Sequence, residues 1–150
     1  MYSKQQASQL RKNFWTSFGQ YMQPLRNSVD EPVNWLNYKT GIKHLYFRMD
    51  ADSKHAGIAV EMRHPDPLQQ QHYFEKFRQM ESLFNQTMGE KWHWQLSVMD
   101  EDNKPVSRIS TKLTGVNVFN NNDWPAIISF LKQRIIALDA FWNLVKEGFE

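Results

Sequence analysis

Asp50 and the run Glu61-Met62-Arg63 are the charged residues in this chain best suited to chemistry. Two carboxylates that converge on one Mg or Mn ion can promote phosphodiester hydrolysis, because the metal polarises the phosphate and generates the attacking hydroxide. Other familiar constellations are missing. There is no cysteine, which excludes disulfides, thiolate catalysis and cysteine-ligated zinc. The histidines, at 44, 55, 64, 72 and 93, form no His-Glu-x-x-His pattern or other ligand spacing. No nucleophile elbow, P-loop or dinucleotide-binding glycine pattern occurs. No metal and no cofactor is therefore expected, except Mg or Mn if the two carboxylates do converge.

Whether they converge depends on the strands that carry them. Leu45, Phe47, Met49 and Ala51 fall on one face of a strand, and His44, Tyr46, Arg48 and Asp50 on the other. Ala56, Ile58, Val60 and Met62 alternate in the same way with Gly57, Ala59, Glu61 and Arg63. Asp52-Ser53-Lys54-His55 is the polar turn between them. A slip of one residue would put the apolar set in water, so the register pairs Ala51 with Ala56, Asp50 with Gly57 and Tyr46 with Glu61. His44 then faces Arg63. Asp50 and Glu61 are offset by four positions, about 13 Å along the strand. Metal–oxygen bonds are only about 2.0–2.6 Å long, so two short side chains do not reach one ion across that offset. The expected role of Glu61 and Arg63 is a cross-strand charge cluster with His44, Tyr46 and Arg48.

The rest of the chain builds a support for this hairpin. Its 150 residues suit a single domain, 1–150, and an apolar content of 41%, with 10 Phe and 6 Trp, supplies a real core. Leu10, Phe14, Phe18, Met22 and Leu25 predict a helix over 4–25, with a Ser3/Gln6 capping box. Val33–Tyr38 reads as a first short strand. Asp66 and Pro67 open a helix that runs to Met88 and stops at Gly89. Strands follow over Lys91–Met99 and Val106–Val118, the second with Ile109, Thr111 and Leu113 opposite Arg108, Ser110 and Lys112. Asn120–Asp123 caps a last helix reaching the end of the chain, expected to share an apolar surface with the first. The fold class is α+β in the order α-β-β-β-α-β-β-α. It implies a mainly antiparallel or mixed sheet of about five strands covered by helices.

That order is similar to the core order of the PD-(D/E)XK (restriction-endonuclease-like) nucleases. In that superfamily a carboxylate on the second strand and an acid-x-Lys on the third bind a metal. The resemblance would assign Asp50, Glu61 and Arg63 to those places, as a degenerate site. Arg63 departs from the pattern, because a permanent guanidinium cation cannot act as a base at neutral pH.

Net charge is only +2, but it is unevenly spread: residues 1–48 hold seven Lys or Arg against two acids (+5), and the remainder 11 against 14 (−3). The stretch Asn34–Arg48 interleaves Trp35, Tyr38, Tyr46 and Phe47 with Lys39, Lys43, His44 and Arg48. Cations beside exposed aromatics suit single-stranded nucleic acid, where bases stack and phosphates pair. Lys39, Lys43, His44, Arg48 and Arg63 are the candidate contacts. Strands are also rich in aromatics simply because aromatics pack well there. The absence of a secretory or membrane-length apolar run, together with the lack of cysteine, fits a cytoplasmic protein. A surplus of Trp and Phe beyond one core would leave an interface between two copies.

The runs FWTSFGQYMQPLR, VNWLNYKTGIKHLYFRMDAD, IAVEMRHPDP and DWPAIISFLKQRIIALDAFW together resemble a bacterial family of domains of unknown function (DUF 4268-like). The resemblance covers nearly the whole chain and implies a bacterial source and a single complete domain. Some members of that family are attached to nuclease-like proteins. It transfers no catalytic residue. Together these readings favour a non-enzymatic module that binds nucleic acid or a nucleic-acid-processing partner. The alternatives are a metal-dependent nuclease and a protein-interaction or dimerisation domain.

Overall fold

In the computed structural model, which describes residues 2–150, the chain forms four helices and one four-stranded antiparallel sheet. Helix α1 (Lys4–Met22) begins at the expected capping box, in which Ser3 Oγ accepts from Gln6 N–H and Gln6 Oε1 accepts from Ser3 N–H. Strands β1 (Leu45–Ala51) and β2 (His55–Met62) form the hairpin in the register read from the sequence, Ala51 with Ala56 through Leu45 with Met62. Arg63 N–H donates to the His44 carbonyl at 2.8 Å and extends the pairing by one step. Asp52 Oδ1 accepts from the N–H groups of Lys54 and His55, which closes the turn.

Asp66 caps α2 (Pro67–Gln79) by accepting from Leu68 N–H. The helix expected to run on to Met88 breaks at Met80 into α2 and α3 (Glu81–Met88), and no Gly or Pro marks the break. Gly89, at φ 72°, ends α3 in the left-handed conformation that glycine adopts without strain. Strands β3 (His93–Met99) and β4 (Pro105–Thr114) follow, and α4 (Trp124–Val145) closes the fold. Gly115, at φ 78°, turns the chain out of β4 four residues earlier than the alternation implied.

The sheet has four strands, not five, because Val33–Tyr38 is not a strand. Asn34 Oδ1 accepts from Asn37 N–H and bends the chain, a local bond that competes with strand pairing. Residues 25–44 instead form an irregular strap pinned to the core by side chains. Trp35 Nε1 donates to the Leu25 carbonyl, Tyr38 Oη to Asp139 and Trp142 Nε1 to the Thr40 carbonyl. Without that first strand the element order is α-β-β-α-α-β-β-α, and the three-stranded meander behind the nuclease-like ordering does not form.

The strand order is β1-β2-β4-β3, with β4 beside β2. One sheet face carries Leu45, Phe47, Ile58, Val60, Met62 and Ile109 into the core. There α4 packs on β2 and α2 on β4. Phe14 of α1 meets Trp124 of α4 edge-on at 5.4 Å, so the first and last helices do share an apolar surface. Aromatic rings fill the centre, with Phe77–Phe149 at 4.6 Å and Phe84–Phe141 at 5.2 Å between centroids. Every Phe and Trp is buried or half-buried. No helix among the described residues is long and apolar enough to cross a membrane.

Candidate functional site

Among the described residues no helix covers the opposite face of the sheet. Its residues stand in rows set by the register. Tyr46, Glu61, Arg108 and Gln95 form one row across β1, β2, β4 and β3. Arg48, Ala59, Ser110 and His93 form the next, and Asp50, Gly57 and Lys112 a third. Gly57, Ala59 and Ser110 are small, so the middle of the face sinks into a depression of about 660 Å³ walled by the charged side chains. That lies within the roughly 300–1,000 Å³ of ligand sites in general. Glu101, from the β3–β4 loop, closes one side.

Glu61 is the hub of the charge network. Its Oε1 accepts from Arg63 Nε at 2.9 Å and pairs with Arg48 Nε at 3.1 Å. Arg63 Nη1 donates to Asp100 Oδ2 at 2.7 Å. The Lys104 N–H first, and then Arg63, hold the Asp100 carboxyl below the usual carboxylate range. The Arg48 guanidinium also lies over the Tyr46 ring, 4.6 Å from its centroid.

Arg108 directly faces Glu61 across β2 and β4, yet has no hydrogen bond or ion pair among the described residues. Its Nε is buried without an acceptor. The Glu61 carboxylate is turned towards Arg48 and Arg63, which leaves Arg108 unmatched. A buried donor without a partner is uncommon in folded proteins and asks for an explanation. Asp50 is also unpaired among the described residues. Its Oδ1 lies 2.6 Å from where a β-carbon on Gly57 would stand, so the carboxylate rests directly on that glycine. Burial raises its pKa; His55 opposes the shift, and Asp52, Glu61 and Glu101 add to it.

The structure thus brings four of the sequence candidates, Arg48, Asp50, Glu61 and Arg63, to one face. Asp50 and Glu61 keep the four-residue offset and do not converge. Among the described residues no group of three or more His, Cys, Asp or Glu could hold a metal ion. Lys39 and Lys43 are exposed on the strap, outside the depression. His44, at φ 70°, breaks the strand alternation, and its ring sits 5.6 Å from that of buried His64 instead of lining the depression. Trp35, Tyr38 and Phe47 are only 3%, 8% and 5% exposed, so Tyr46 alone of that aromatic set reaches solvent. Arg108 and Lys112 were missed as site residues. Their alternation along β4 was legible, but the pairing of β4 with β2 was not.

A family model described as "Domain of unknown function (DUF4268)" matches residues 10–146 of the chain. No curated protein and no solved structure matches it.

Proposed function

The chain belongs to the DUF4268 family, and we propose that it is a non-enzymatic module that binds single-stranded nucleic acid across its bare sheet face. The observation that carries this reading is Arg108, a guanidinium at one end of an open depression with no acidic partner among the described residues. A phosphate supplies the charge-assisted acceptors that such a group lacks. Arg48 and Lys112 stand on the same face, and Tyr46 at its rim adds an aromatic surface. The acids nearby limit the contact to one or two phosphates, in contrast to a broad basic stripe. Offset carboxylates and a guanidinium already engaged by Glu61 and Asp100 do not favour hydrolysis.

The test is fluorescence anisotropy of a labelled single strand titrated with protein over a salt series, with and without Mg or Mn. Arg108→Ala should weaken binding and flatten the slope of log K against log salt by about 0.7, the contribution of one phosphate on a single strand. An unchanged isotherm in folded Arg108→Ala would remove this residue from any binding site. Shortening of the probe only with metal would replace the proposal by a nuclease.

A further inference from the structure

Two unpaired groups of opposite sign stand at opposite ends of the depression. Asp50 lies on β1 in the third row and Arg108 on β4 in the first. Four residues along the strands and two strands across separate their Cα atoms by about 16 Å. Both side chains reach inward over a floor of Gly57, Ala59 and Ser110, where no side chain is larger than a hydroxymethyl group. Arg108 Nε is buried without an acceptor, and the exposed Asp50 carboxylate, resting on Gly57, makes no hydrogen bond among the described residues. Arg48, held by Glu61 at 3.1 Å and lying over Tyr46, keeps its guanidinium at the Arg108 end of the depression, away from Asp50.

We infer that this depression holds one unstacked nucleotide, with its phosphate on Arg108 and the donor edge of a guanine on Asp50. The inference rests on the nucleic-acid reading above and names which unit the face selects. An ionised carboxylate only accepts hydrogen bonds, and its two oxygens match two adjacent N–H donors. Among the four bases, guanine alone presents two adjacent ring-plane donors on its Watson–Crick edge. Uracil would set a carbonyl oxygen, and cytosine and adenine a ring-nitrogen lone pair, against the carboxylate. The flat floor of Gly57, Ala59 and Ser110 suits a base laid across the strands. One unpaired arginine facing one unpaired carboxylate across a compact floor fits one nucleotide better than an extended duplex.

The experiment uses the full chain and the four ribonucleoside 5′-monophosphates, titrated by calorimetry and by amide chemical shifts in two-dimensional NMR. The guanine nucleotide should bind about tenfold more tightly than the uracil one, the discrimination that a bidentate base contact provides. Asp50→Asn, which keeps shape but exchanges an acceptor for a donor, should erase that preference by weakening the guanine nucleotide without weakening uridine monophosphate. Gly57→Ala should do the same, because its β-carbon would displace the Asp50 carboxylate. Shifts should cluster on Gly57, Ala59 and Ser110. Equal affinity for all four nucleotides, or a guanine preference that survives Asp50→Asn in the folded protein, overturns the inference. If anisotropy still shows salt-dependent strand binding that needs Arg108, the broader proposal stands. Loss of binding to every strand and every nucleotide sinks both. Tight binding of an acidic peptide in place of nucleotides would reassign the face to a protein partner.

Discussion

Removing the hydroxyl of Tyr38 should loosen the whole strap between α1 and β1. The Asp139 side chain is fully buried on α4. It accepts from the Tyr38 hydroxyl, from Ser28 N–H at 2.7 Å and from Asn143 Nδ2 at 2.9 Å. A buried carboxylate persists only when such donors replace water. Tyr38→Phe keeps the ring that stacks on Phe47 at 5.1 Å, so it opens no cavity and removes a single charge-assisted bond. A bond of that kind contributes about 1.5–3 kcal/mol. Asp139→Asn should destabilise by a similar amount, because an amide group would then confront a donor from Ser28 or Asn143. The two changes share one contact, so the double mutant should fall short of their sum by about 1–2 kcal/mol. Urea unfolding of the four proteins measures this directly, and hydrogen exchange should speed up over residues 25–44. Tyr38 also offers a spectroscopic check. Burial first, and then its bond to Asp139, push its phenol well above the ordinary tyrosine pKa. The neutral form is therefore the one that stabilises the fold. That contribution is complete below the unfolded pKa of about 10 and is lost as pH rises beyond it. Strict additivity of the two mutations would show that hydroxyl and carboxylate are not coupled, and the pinning account would fail.

A second pH dependence acts in the opposite direction. His64 is 3% exposed, stacks on Tyr73 at 4.5 Å, and has no partner for either ring nitrogen among the described residues. Burial, reinforced by His44, lowers its pKa. The unfolded imidazole takes a proton near pH 6.5 while the folded one resists, so stability should decline as pH falls below about 6.5. His64→Phe should flatten the urea midpoint between pH 8 and pH 5.5, and an equally steep decline in that variant would assign the effect elsewhere. Gly89→Ala places a β-carbon at φ 72° in the α3 cap and should cost about 1 kcal/mol by urea unfolding. No change there would mean the cap relaxes to another conformation.

Much of this fold was legible because the information was local. The hairpin register followed from four apolar residues on each arm and a short polar turn, and every pair from Leu45–Met62 to Ala51–Ala56 formed as read. The caps at Ser3, Asp66 and Gly89 also followed from residue type alone. Val33–Tyr38 misled because its composition suits a strand, whereas its fate depended on Asn34 capturing a nearby N–H and on Asp139, a hundred residues away, receiving Tyr38. The nuclease reading weakened on register alone, and the structure keeps the same separation of Asp50 and Glu61.

The sequence by itself therefore determined which residues of β1, β2 and β4 face the core and which face outward, because a two-residue period and burial leave only one consistent choice. It could not place β4 beside β2, since strands distant in the chain pair through tertiary closure. That closure sets Arg108 opposite Glu61, and packing then turns Glu61 towards Arg48 and Arg63. The unmatched guanidinium, the small-residue floor and the depression between them exist only once four strands lie side by side with their helices on one face.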